Sequence, residues 1–193
     1  MPVQKELKLS DEEVTKAKET VTAARDKFKE ERDKLNDLDP QERFPKMAEI
    51  GAKEAEETYT MLAKDWKPEQ VKRLKQLGVQ FSVQMQGVQA FMSPAVDKAL
   101  KLTDDQKEKI RALGGEQREE RTNLFQNGGD PAENQKKMAA MTKEFVGKGM
   151  AMLTDDQKKE WKELTGDPFE FPAMAGGGRG GKGKRKKDKD KDN

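Results

Sequence analysis

Apolar positions in this chain recur by threes and fours, and nowhere by twos. From Asp11 to about Asn36 they fall at Val14, Ala17, Val21, Ala24, Phe28 and Leu35, continuing to Leu38. This is a heptad-like seam with one break at Glu31 and no Gly or Pro inside it, so it predicts one long helix. Asp39-Pro40 and Phe44-Pro45 mark a turn and the next start, predicting a second helix from Pro45 to Lys64. Pro68 suits the first position of a third helix carrying Val71, Leu74, Gly78, Phe81 and Met85. Gly87 to Pro94 reads as a bend, and Pro94 to Lys101 as a short helical lead-in. A fourth helix runs from Thr103 to about Phe125 with Ile110, Leu113 and Leu124 inward. Gly114-Gly115 is its weak point, at about 1 kcal/mol per Gly relative to Ala. Residues 127–131 form a loop. A fifth helix carries Met138, Met141, Phe145 and Met152, and a sixth carries Trp161 and Leu164. Residues 168–172 break the last helix and are expected to pack back on the bundle. The fold class expected is all-α, built from elongated antiparallel hairpins.

One hexapeptide occurs twice. Leu102-Thr103-Asp104-Asp105-Gln106-Lys107 returns unchanged as Leu153-Thr154-Asp155-Asp156-Gln157-Lys158. Leu9-Ser10-Asp11-Glu12-Glu13 is a weaker copy, and Trp66-Lys67-Pro68-Glu69-Gln70 a fourth that lacks the hydroxyl. Each copy fits a helix start. The hydroxyl of Ser10, Thr103 or Thr154 accepts from the third helical N–H, and Glu13, Gln106 or Gln157 reaches back to the cap's own N–H. The two acids between them favour the positive end of the helix dipole. The segment from Val3 to Leu9 also aligns with that from Val96 to Leu102, and Leu74 to Leu77 with Trp161 to Leu164. Two similar helical units in tandem are expected, residues 1–92 and 93–173, together one elongated domain. A Gly-, Lys- and Arg-rich tail, 174–193, has no apolar content to bury beyond its first residues and is expected to be disordered.

Composition narrows the function classes. Apolar residues are only 32% of 193, while 39 Lys and Arg nearly balance 37 Asp and Glu. Such a chain can bury a narrow seam between long helices, with paired charges on the outer faces. There is no Cys and no His, which removes disulfides, thiolate chemistry and the usual general base and transition-metal ligands. Ser10, Ser82 and Ser93 have no partner base at recognisable spacing, and no phosphate loop is present. The chain reads as no enzyme, with no cofactor and no metal. No apolar run is long enough to span a membrane. No signal peptide is visible, although a trimmed precursor would also open abruptly at Pro2-Val3.

Methionine and phenylalanine supply the remaining candidates. Phe81, Met85, Phe91 and Met92 form one cluster, and Met138, Met141 and Phe145 another. Polarizable, flexible Met side chains can accommodate varied apolar partners, so both clusters are candidate surfaces for unfolded clients. The competing reading of both is a loosely specified core in a thin bundle. In the tail, Arg179, Lys182, Lys184, Arg185, Lys186 and Lys187 are candidate polyanion contacts, with no aromatic residue among them for base stacking.

The repeated Leu-Thr-x-x-Gln resembles the signature of the Spy/CpxP-like family of small all-α periplasmic proteins. The resemblance implies a long bent helical hairpin that dimerises into a thin cradle. It implies ATP-independent binding of unfolded or aggregation-prone proteins, a link to envelope stress, and export to the periplasm or beyond, although the composition leaves the cytoplasm open. Two readings of other classes stand beside it. One is a nucleic-acid-associated protein held by its basic tail; the other is a structural or regulatory helical module with a single partner.

Overall fold

The computed structural model describes residues 2–126, 128 and 130–172. The basic tail therefore lies outside the described residues, as do Asn127 and Gly129 of the expected loop. Among the described residues there are nine α-helices, two short 3-10 segments and no strand. The chain is all-α. Its helices are α1 (Pro2–Glu6), α2 (Asp11–Lys27), α3 (Lys29–Asp33), α4 (Pro40–Leu62), α5 (Pro68–Gln86), α6 (Pro94–Leu100), α7 (Asp104–Gln126), α8 (Pro131–Ala151) and α9 (Asp155–Thr165). The 3-10 segments are Lys34–Asp37 and Gly87–Met92.

The order repeats. A short lead-in (α1, α6) precedes a hairpin of two long helices (α2 with α4, α7 with α8), and a further helix closes each half (α5, α9). Backbone conformation repeats with it. Among the described residues, Lys8 and Lys101, each one residue before its motif leucine, are the non-glycine residues with positive φ, at 52° and 51°. That left-handed turn ends each lead-in and swings the chain into the capped start of the next helix.

Two boundaries differ from expectation. The first long helix is broken at Phe28, whose φ and ψ are −101° and 8°. The residue that the seam skips, Glu31, is exposed and pairs with Lys53 at 3.3 Å. The chain beyond it tightens into 3-10 geometry and brings Leu35 into the interior. Arg32 pairs with Glu54 and donates, at 2.7 Å, to the Arg25 carbonyl left open where α2 ends. The second correction concerns α4, which begins at Pro40 rather than Pro45. Asp39 caps it by accepting from the Gln41 N–H at 2.9 Å, and Pro40 takes the first position, where no N–H is needed. Pro45 is carried inside the helix.

The interior is split in two. The first cluster holds Leu7, Leu62, Trp66, Val71 and Leu77. The second is larger and centres on Val88, Phe91, Ile110, Phe145 and Trp161. Gly87–Met92 belongs to this second cluster by packing, for it lies against α7 and α8 and plugs the hairpin between them. Two helical glycines admit the plug. A Cβ at Gly149 would lie 2.8 Å from Val88 Cγ2 and 3.2 Å from the Phe91 ring. A Cβ at Gly114 would meet the Gln89 side chain at 1.5 Å. The glycine that looked like a flaw in α7 is thus where the plug comes closest.

Candidate binding groove and the paired capping motifs

The capping boxes form as the spacing requires. The Gln106 N–H donates to Thr103 Oγ1 at 3.2 Å while the Thr103 N–H donates to Gln106 Oε1 at 3.0 Å. Thr154 and Gln157 do the same at 3.2 and 2.9 Å. Ser10 and Glu13 match them at 3.2 and 2.7 Å. In the fourth copy only the backbone half survives, with the Lys67 N–H donating to Gln70 Oε1 at 2.9 Å.

The motifs also grip each other, which the sequence pattern does not show. Gln106 Nε2 donates to Gln157 Oε1 at 2.8 Å, and Gln157 Nε2 returns the bond at 3.0 Å. The second hydrogen of each amide goes to the turn before the other helix: Gln106 to the Met152 carbonyl at 2.8 Å, Gln157 to the Leu100 carbonyl at 3.1 Å. Each side chain therefore uses both donors and accepts twice, its full complement. A carboxylate could cap a helix here but could not donate to a turn carbonyl. The first unit carries a partial copy of this clasp. Gln70 Nε2 donates to the Leu7 carbonyl at 3.1 Å, matching Gln157 and Leu100. The Ser10 backbone N–H, then its hydroxyl, Gln70 and Lys67, hold the Glu13 carboxyl below the ordinary range for glutamate, against a smaller opposing effect of desolvation. The sequence signal for the clasp was the identical third-position Gln in two copies. Its meaning depends on α7 and α9 starting side by side.

An open groove of about 920 Å³ runs between α5 and α8, with α9 at its floor and residues 166–171 along one side. Val83, Met138, Val146, Trp161, Phe169 and Phe171 give it an apolar lining, and Gln84, Gln135, Lys143 and Glu170 also border it. The side formed by residues 166–171 is not helical. Gly166, with φ of 60°, ends α9, and Gln80 pins the residues beyond it. Gln80 Nε2 donates to the Thr165 and Asp167 carbonyls at 2.6 and 2.8 Å, and the Phe169 N–H donates to Gln80 Oε1 at 2.8 Å. The strap so held packs on the first cluster as expected, with Phe169 edge-on to Phe171 at 4.9 Å and Phe171 edge-on to Phe81 at 5.5 Å.

The candidate client residues divide. Met138 lines the groove, and Met85, Met138 and Met141 share an adjoining pocket beneath Gly87. Phe81 and Met85 are 42% and 44% exposed. Met92 is half-buried beside a further cleft between α4, α5 and α6. Phe91 and Phe145 are corrections: both are fully buried, Phe91 stacks on Trp161 at 4.2 Å, and neither offers a surface to a client. Their spacing matched an exposed stripe, but Gly114 and Gly149 let the plug cover it. Sequence reasoning also overlooked Phe44 and Phe125, which are 70% and 61% exposed. The tail residues Arg179, Lys182, Lys184, Arg185, Lys186 and Lys187 lie outside the described residues. Among the described residues no three carboxylates gather as a metal site, and no helix is long and apolar enough to cross a membrane. No family model, curated protein or solved structure matches the chain.

Proposed function

We propose that this protein is an ATP-independent, chaperone-like binder of unfolded or aggregation-prone segments, acting in the periplasm or outside the cell, and that the α5–α8 groove receives them. The observation that carries the reading is the groove's chemistry. Its apolar lining includes a flexible Met and two Phe on a strap rather than on a helix, a combination suited to varied side chains. Gln84 and Gln135 place amides beside it, able to donate to and accept from the unpaired backbone of an extended chain. Lys143 and Glu170 offset one another, so the groove favours neither charge sign. The Leu-Thr-x-x-Gln resemblance supports the same class of function and the exported location.

The test is suppression of aggregation of a chemically reduced client, without nucleotide. Suppression is expected at near-stoichiometric ratios, and Met138→Glu with Thr142→Glu on the groove wall should weaken it while leaving helix content unchanged. No suppression at several-fold molar excess would reject the function. Full suppression by the double variant would reject the groove.

A further inference from the structure

A second pocket, of about 250 Å³, opens off the groove on its α7 side, with Gln84, Met138 and Thr142 common to both. No carboxylate borders it, although the chain as a whole nearly balances its acids and bases. Arg118 and Arg121 do, one turn apart on α7, and neither forms an ion pair among the described residues. Two half-buried glutamines are seated there by glycines. The Gln89 side chain lies across Gly114 and the Gln117 side chain across Gly87, where a Cβ on either glycine would meet the amide. Gln117 Oε1 accepts from the Val88 N–H at 3.1 Å, which leaves its Nε2 as a free donor. The Gln89 amide has no hydrogen-bond partner among the described residues. We propose that this pocket receives the carboxyl-terminal residue of a client chain, with its terminal carboxylate on Arg118 and Arg121.

On the reading of the groove as the client site, on which this assignment rests, an extended chain in the groove ends here. Guanidinium groups recognise a carboxylate through paired N–H donors, and these two have no competing acid at the pocket. The last peptide group of the client meets the Gln89 amide and Gln117 Nε2, which supply both a donor and an acceptor. An apolar last side chain fills the space beside Met85, Met138 and Met141, whose flexibility suits several shapes. A pocket this small favours a residue whose side chain and carboxylate spring from one carbon. An internal Asp or Glu carries its charge on the side chain itself and leaves the methionines uncovered. A fatty acid satisfies the arginines and the methionines but leaves the two amides against hydrocarbon, which is costly. The end of a peptide meets all three kinds of group at once.

Binding of labelled decapeptides to the full chain, read by fluorescence anisotropy, tests the assignment. One peptide ends in Leu-Leu with a free carboxylate, a second is its carboxyamide, and a third is that carboxyamide with an Asp placed before the two leucines. The free acid should bind about tenfold more tightly than the carboxyamide, the worth of one charge-assisted contact. The Asp peptide should bind like the plain carboxyamide, whereas attraction to the basic tail would favour both acidic peptides alike. Arg118→Gln with Arg121→Gln should abolish the free-acid preference, with helix content and suppression of client aggregation unchanged. The proposal is overturned if the acid and the carboxyamide bind equally, if the Asp peptide matches the free acid, or if the preference survives the double variant. Failure of the groove reading shows itself separately, as absence of suppression by the unaltered chain.

Discussion

Gln106 and Gln157 each close a helix start, bind each other and cap the turn that leads to the other's helix. Gln157→Leu keeps the size of the side chain and removes every bond that the Gln157 amide makes. The Leu100 carbonyl, the Thr154 N–H and half of the Gln106 amide then lose their partners, at a cost of about 1–3 kcal/mol. Chemical denaturation monitored at Trp161 should show the loss. Gly149→Ala tests the plug. Its added methyl must displace Val88 or Phe91 from a filled core, and overpacking of this kind costs about 1–3 kcal/mol, although Ala is the better helix former. Stabilisation by Gly149→Ala would show that the plug packs less closely than described. At this scale the sequence revealed the caps, because a cap is a local pattern four residues long. The clasp and the glycine contacts were hidden, since each joins residues far apart in the chain.

Helix starts were the most legible elements. Pro68, Pro94, Thr103 and Thr154 each combine a local signal with no competing one, and the chain obeys them, whereas Pro131, read as the end of a loop, is the first residue of α8. Two starts of equal appearance, Pro40 and Pro45, could not be separated by pattern, and the Asp39 side chain decides between them. The break at Phe28 had no glycine or proline to announce it, and the chain beyond it buries Leu35. The loop before α8 offers a clean test of capping. Asp130 accepts from the N–H groups of Ala132 and Glu133 at 2.9 and 3.0 Å, so Asp130→Ala should fray the start of α8 at a cost of about 1 kcal/mol. Faster amide exchange confined to the first turn of α8 would confirm it. The strap is also an element in this sense. Gln80→Ala removes all three bonds that pin it, and should free Phe169 and Phe171, seen as loss of their ring contacts in aromatic NMR spectra.

Across the whole molecule there are two small interiors in place of one thick core, and the strap packs on the first of them. Composition had foretold thin seams between the helices. The groove was not foreseeable, because its sides come from α5, α8 and the strap, which no sequence pattern links. Phe91 and Phe145 were misjudged for the same reason: helical spacing shows that a stripe exists, and tertiary packing decides whether something covers it. If the groove is the seat of binding, removing residues 173–193 should leave suppression of aggregation intact. The most direct measurement is amide hydrogen exchange of the full chain with and without an unfolded client. Protection concentrated at residues 80–84, 135–146 and 168–171 is expected. Protection confined to the basic tail, or to the α2–α4 hairpin, would contradict the account.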